Sequence, residues 1–223
     1  MAEQVEVLYR SLFDSVSHEL KTPLTAIRGA VSVLESRATE PKAIVEQIGE
    51  ESERLIQVVD HMLNMTRLES GTLKLRMLPC DIADIFGPAL SQIESHLKGR
   101  VIQVEVKKDT PPLLCDAPLV VQALVNVIHN ALKHTPPGPI EISAQADKVG
   151  FVEIQVRDHG PGLPLEHPEI VFQKFYRKGV GGAGLGLSIA KGFIECQGGT
   201  ISAMNHMDGG AVFKIRLQAS GEE

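Results

Sequence analysis

Apolar residues fall at Leu8, Leu12, Val16, Leu20, Leu24, Ile27, Val31 and Leu34. Steps of three and four lay them as one stripe along a helix. The pattern breaks at residues 37–41, where Thr39 is a candidate N-cap and Pro41 suits a first helical turn. It resumes through Ile44, Ile48, Leu55, Val58, Met62 and Met65 and ends near Gly71. Two long amphipathic helices joined by a short break make a hairpin. A lone hairpin has no second layer for its stripe, whereas two copies paired as a four-helix bundle bury both. A homodimer is therefore expected; the alternative is a hairpin docked on its own C-terminal half.

After Gly71 the periodicity changes. Strand-like runs lie at 101–106, 140–144, 151–157, 200–204 and 211–217, and helix-like stretches at 82–97, 118–133 and 187–196. A turn at Asp208-Gly209-Gly210 joins the last two strands. The expected organisation is a helical hairpin over 1–70, a linker over 71–78 and an α+β sandwich over 79–220.

Composition narrows the chemistry. The 223 residues are 43% hydrophobic but only 4% aromatic and lack tryptophan, so aliphatic side chains must fill the core. A net charge of −6, from 22 basic and 28 acidic residues, leaves no broad footprint for nucleic acid. Cys80, Cys115 and Cys196 are odd in number and widely spaced, which fits free thiols better than disulfides or a metal site. No apolar run approaches the roughly 18 residues of a membrane span, and no signal peptide is visible. A soluble, cytoplasmic chain is expected. Because the first helix begins almost at Met1, it reads as a fragment of a longer receptor, with membrane attachment only through regions absent from it.

Two groups of residues carry candidate chemistry. On a helix turning about 100° per residue, His18 lies roughly 200° from both Val16 and Leu20, on the face away from the stripe. Glu19 is its neighbour, and Thr22 shares its face one turn on. Pro23 lacks the N–H that would meet the carbonyl of Glu19, a cost of about 3 kcal/mol and a source of a kink. An exposed helical histidine is usually only a surface residue; the block His-Glu-x-x-Thr-Pro changes that reading.

The second group lies far along the chain. Asn126, Asn130 and Lys133, at spacings of four and three, project from one helical face. Carboxamide oxygens suit Mg²⁺ and lysine suits phosphate, although a polar solvent face reads the same in isolation. Asp158-His159-Gly160-Pro161-Gly162 follows an apolar strand, its glycines free to let backbone come close to a ligand. Gly182-Ala183-Gly184-Leu185-Gly186 opens a helix whose first amides can hold phosphate. No Gly-Lys-Ser/Thr follows, and no leading strand abuts these glycines, so neither a P-loop nor a Rossmann turn fits.

Ser17-His18-Glu19-Leu20-Lys21-Thr22-Pro23-Leu24 resembles the H-box of the sensor histidine kinases of two-component signalling. The stretch from Leu124 to Lys133 resembles their N-box, Asp158 to Gly162 their first glycine box, Phe172 to Arg177 their F-box and Gly182 to Gly186 their second glycine box. The resemblance spans nearly the whole chain. It implies a sandwich of the Bergerat type that binds ATP with Mg²⁺. His18 would be the phosphoacceptor, Glu19 the group that orients its ring and takes its proton, and Thr22 the residue that orients water when a partner is dephosphorylated. Asn126 and Asn130 would lie in the nucleotide site, Asn130 holding Mg²⁺ and Lys133 touching phosphate. Asp158 would accept from the adenine amine, beside Gly160 and Gly162. Arg177, Gly182, Gly184, Leu185 and Gly186 would form the phosphate-side loop, shortened between 178 and 181. Thr200 would stand near adenine, or be only a strand residue after the glycine pair Gly198-Gly199. The partner implied is the receiver domain of a response regulator. Gly160 to Pro164 and the two segments that close the chain look closest to potassium-responsive members. His134 and His159 replace commoner residues.

Related ATPases carry a glutamate four residues before the magnesium asparagine; here that residue is Asn126, which cannot deprotonate water. A hydrolase, an anti-sigma serine kinase and a nucleotide-binding adaptor without catalysis remain the alternatives.

Overall fold

The computed structural model describes residues 2–35, 41–97, 99–136, 138–147, 149–176 and 184–221, without the side chains of 2–16, 18 and 19. The expected cap Thr39, and residues 178–181 of the loop before Gly182, lie outside the described residues. The chain forms two compact units, the first within 1–69 and the second spanning 70–176 and 184–223.

The first unit pairs helix α1 (Ala2–Glu35) with helix α2 (Pro41–Glu69). Pro41 opens α2, where its missing N–H has no intrahelical partner to lose. The α1 seam facing α2 runs through Leu20, Pro23, Ile27, Ala30 and Leu34, all buried or half-buried. Leu24 and Val31, which the apolar stripe included, are 53% and 41% exposed. Leu20, Ile27 and Leu34 of the stripe lie in the seam, and Pro23 and Ala30 complete it in place of Leu24 and Val31. On α2 the packed seam runs Ile44, Ile48, Glu51, Leu55, Val58, Met62 and Met65 in unbroken steps of four and three. One position further round each helix lies a second apolar line: Leu24 and Val31 on α1, and Val45, Ile56, Val59 and Leu63 on α2. All of it is exposed in the single chain.

The second unit is a two-layer sandwich. A five-stranded sheet has the order β2 (Ile102–Val106), β4 (Ile140–Ala146), β5 (Phe151–Arg157), β7 (Ala211–Gln218), β6 (Thr200–Asn205). Only the β2–β4 pair is parallel. A small ribbon, β1 (Leu78–Cys80) antiparallel to β3 (Leu113–Cys115), forms a second ladder that meets the end of β7 through a bridge between Leu113 and Ala219. Alternation decides which face is covered: Val152, Ile154 and Val156 of β5 are buried, as are Phe213, Ile215 and Leu217 of β7. Three helices pack in the other layer, α3 (Ile82–Ile93), α4 (Ala117–His134) and α5 (Gly186–Glu195). They bury Ile85, Ala89 and Ile93, then Leu124, Val127 and Ile128, then Ile189, Ala190 and Phe193. Helix α4 lies between α3 and α5, so the face it turns away from the core is framed on both sides.

Candidate functional site

Asp158 directly follows β5 and is 5% exposed. Its Oδ1 accepts from the N–H of Gly160 at 2.8 Å and from that of Ala211 at 3.1 Å. The Asp158 N–H donates to the Ala211 carbonyl at 2.9 Å, so the residue is fastened to the start of β7. Its other oxygen, Oδ2, meets no donor among the described residues. The glycines around it leave room for the protein itself. A Cβ on Gly160 would lie 3.0 Å from the His134 carbonyl and 3.1 Å from Thr135 Oγ1 at the end of α4; one on Gly162 (φ +73) would lie 2.6 Å from Asn205 Oδ1. Both glycines are thus required by close contact with α4 and β6.

Helix α4 presents Asn126 and Asn130 half-buried and Lys133 exposed, with Leu124, Val127, Ile128 and Ala131 in the core behind them. Its C-terminal carbonyls are held by Arg100, whose Nη1 donates to Leu132 at 2.9 Å and whose Nη2 donates to Thr135 at 2.8 Å. A cation there also complements the negative end of the helix dipole. At the other end, Asp116 sits in the N-cap position without capping α4; its Oδ2 accepts from the Arg76 N–H at 2.8 Å.

The segment from Leu163 to Leu185 brackets residues 177–183. Phe172 is buried against Phe213, ring centroids 6.2 Å apart at 88°. Phe175 has φ 65, the one non-glycine left-handed residue described, and its N–H donates to the Gly184 carbonyl at 2.9 Å. Gly184 (φ +67) has no room for a side chain, since a Cβ would lie 2.7 Å from the Tyr176 carbonyl. These paired left-handed residues close the base of the loop. Buried Leu185 then leads into α5, which begins at Gly186. Arg177 and Gly182 lie outside the described residues.

Thr200 is not brought to this place. It opens β6 opposite Arg216, while Asn205, at the far end of β6, pairs with Ala211 beside Asp158. Five residues of strand, about 17 Å, separate the two ends. The glycine pair before it is structural: the Gly198 and Gly199 N–H groups donate to Glu195 and Ile194 at the end of α5. A Cβ on Gly199 would lie 2.7 Å from the Arg216 carbonyl.

His159 turns to the outside, where its Nε2 meets Glu141 Oε1 at 2.8 Å. Glu141 also approaches Arg157 at 3.6 Å, and Arg157 approaches Asp208 at 3.9 Å. These polar and ionic contacts link β4, β5, the glycine turn and the tip of the β6–β7 hairpin. Asn205, Arg100, Asp116 and Glu141 carry no local motif and were missed by sequence reasoning.

In the first unit α1 continues through Pro23 without interruption. Ser17, Lys21 and Thr22 are exposed around His18. No group of three His, Cys, Asp or Glu side chains able to hold a metal occurs among the described residues. The Asn130 carboxamide, a hard oxygen donor, fits an ion that arrives with phosphate oxygens and water as its other ligands. The three cysteines are free thiols. Burial first, then the neighbouring Cys80 and Asp116, pushes the Cys115 thiol up to about 12.

The family model described as the His Kinase A (phospho-acceptor) domain matches residues 9–71. That described as the histidine kinase-, DNA gyrase B-, and HSP90-like ATPase matches residues 115–221. The sensor protein KdpD of Clostridium acetobutylicum is 31% identical over 227 residues, covering 95% of this chain and 25% of its own length. The alginate biosynthesis sensor protein KinB of Pseudomonas aeruginosa is 32% identical over 211 residues, covering 90% of this chain and 35% of its own. The chain therefore spans about a quarter to a third of these relatives. The histidine kinase AdeS of Acinetobacter baumannii superposes with a TM-score of 0.72 at 23% identity, over 92% of this chain and 98% of that one, a likeness of fold. One family model falls on the hairpin that carries His18 and the other on the sandwich that carries Asp158; the chain belongs to the sensor histidine kinases of two-component signalling.

Proposed function

We propose that the chain phosphorylates its own His18 from Mg·ATP and passes the phosphoryl group to an aspartate on a separate receiver domain. The observation that carries this reading is the buried Asp158, fixed through Oδ1 with Oδ2 left to accept from an adenine amine, in a chain whose hairpin bears the His-Glu-x-x-Thr-Pro block. Asn126 supports transfer over hydrolysis, because a carboxamide cannot take a proton from water.

In this mechanism Asp158 selects adenine, and Lys133 with Arg177 neutralises phosphate charge. Gly182, Gly184, Leu185 and Gly186 supply backbone beside the phosphates at the start of α5. Asn130 would hold a Mg²⁺ ion arriving with the nucleotide, and that ion would supply positive charge to offset the phosphate oxygens. His18 Nε2 attacks the γ-phosphorus in line; the new N–P bond forms as the bond to the ADP oxygen breaks. Glu19 takes the proton from the other ring nitrogen. Positioning and charge neutralisation account for most of the rate. Thr22 orients the water that hydrolyses the regulator's aspartyl phosphate, releasing inorganic phosphate, in the phosphatase step. Residues 1–70 act as the dimerisation and phosphoacceptor region, 71–78 as the linker and 79–220 as the ATP-binding region.

The exposed second line of Leu24, Val31, Val45, Ile56, Val59 and Leu63 supports a homodimer, since a second hairpin would cover it. No helix among the described residues is long and apolar enough to cross a membrane. A cytoplasmic location, with membrane attachment through other regions, is part of the same proposal.

Terminally labelled Mg·ATP tests the choice between transfer and hydrolysis. Label retained on the chain, with little free phosphate, supports the kinase. Steady phosphate release without retained label makes it a hydrolase, and tight ATP binding with neither makes it an adaptor.

A further inference from the structure

Asn205 ends β6 and reaches across to the glycine turn. Its Oδ1 accepts from the Leu163 N–H at 2.6 Å, and its Nδ2 donates to the Leu163 carbonyl at 3.2 Å. A side-chain amide that pairs both polar groups of one residue does what a neighbouring strand does in a ladder. Across the hairpin, Asn205 pairs with Ala211, and Ala211 is the residue that holds Asp158 through two hydrogen bonds. One cross-strand pair thus grips both ends of the turn: Asp158 before it and Leu163 after it. Between the grips lie only His159, Gly160, Pro161 and Gly162.

Gly162 is what makes the second grip possible. With φ +73, and with a Cβ that would sit 2.6 Å from Asn205 Oδ1, no other residue leaves the amide its place. The same closeness appears at Gly210, where a Cβ would lie 1.9 Å from the Asp158 carbonyl.

We infer that Asn205 is a positioning residue for the nucleotide, fixing the exit of the glycine turn so that Asp158 and the turn backbone are already in place when adenine arrives. This rests on the proposed ATP site at Asp158. Without the amide, residues 159–163 sample more conformations, and binding must supply the ordering that the fold now supplies.

The test is Asn205→Ala and Asn205→Asp in the full chain, titrated with Mg·ATP and followed by rate measurements. The aspartate keeps the acceptor but turns a negative oxygen toward the Leu163 carbonyl. Both variants are expected to raise Kd for Mg·ATP about tenfold, with the loss in autophosphorylation falling mainly on KM rather than kcat. Gly162→Ala should weaken binding similarly, and adding it to Asn205→Ala should cost little more, because both remove the same grip. A lower melting temperature without nucleotide, alongside an unchanged Kd, would leave Asn205 purely structural and overturn the inference. Wild-type chain that fails to bind Mg·ATP would instead overturn the ATP site itself.

Discussion

Asp158 and Ala211 are joined twice, by the Asp158 N–H to the Ala211 carbonyl at 2.9 Å and by the Ala211 N–H to Asp158 Oδ1 at 3.1 Å. The carboxylate therefore has two separable tasks in the proposed site: Oδ1 builds the turn, and Oδ2 is left to accept from the adenine amine. Asp158→Asn can keep the first task, since a carboxamide oxygen still accepts from Gly160 and Ala211. It reverses the second by presenting N–H to the adenine amine. The variant should fold with a near-normal melting temperature yet lose about a hundredfold in ATP affinity, roughly 2.7 kcal/mol. Isothermal titration checks this; a hundredfold loss that appears only with unfolding would contradict the division.

The hairpin tip offers a contrast between two adjacent glycines. Gly209 has φ +90 with open space at its Cβ, whereas Gly210, at φ +82, would drive a Cβ to 1.9 Å from the Asp158 carbonyl. Gly209→Ala bears only the left-handed backbone cost, about 1 kcal/mol. Gly210→Ala adds a clash with backbone that cannot move without undoing the Asp158 anchor, and should cost at least about 3 kcal/mol. Urea unfolding of both variants settles the comparison. Equal losses would mean that the approach of the two chain segments is not tight.

Ile56 and Leu63 are 60% and 51% exposed on the second line of α2. In a hairpin that stands alone, aspartate at either place is a surface change with a helix-propensity cost below about 1 kcal/mol. In a four-helix bundle it buries a charge. Sedimentation at micromolar concentration should show a wild-type dimer, and Ile56→Asp or Leu63→Asp should shift it to monomer. Variants that remain dimeric would place the interface elsewhere.

Cys115 gives a pH dependence with a definite sign. Cys115 is 1% exposed, and its thiol pKa is raised from 9.0 to about 12, first by burial and then by Cys80 and Asp116. The unfolded chain thus loses this proton first. The corresponding stability is complete below about pH 9 and is lost as pH climbs toward 12. The urea midpoint should fall over that window, and Cys115→Ala should fall less steeply. Parallel curves would remove the thiol as the cause.

Much of this was legible in the sequence because period survives in long elements. The stepped apolar residues of 8–34 and 44–65 lie within helices, and the alternating 151–157 run is β5. The ribbon strands Leu78–Cys80 and Leu113–Cys115 escaped notice because three residues carry no period. Pro23 and Ala30 of the α1 seam were not picked out because neither carries a large apolar side chain to mark the period. In the candidate site, Asp158 and its glycines announce themselves locally. Asn205 and Arg100 do not, since their partners lie 42 and 32 residues away and meet them only through sheet pairing and helix packing. Thr200 was left between two readings, and it stands as a strand residue, because the motif named a strand without saying which end of it reaches Asp158.

The most direct measurement of the central claim incubates the chain and His18→Gln with Mg·ATP labelled at its terminal phosphate and determines the chemistry of the bound label. Label that is acid-labile, alkali-stable, mapped to the peptide containing His18 and absent from the variant is the expected result. Label of equal strength in His18→Gln, or label stable to acid, would contradict phosphorylation of His18.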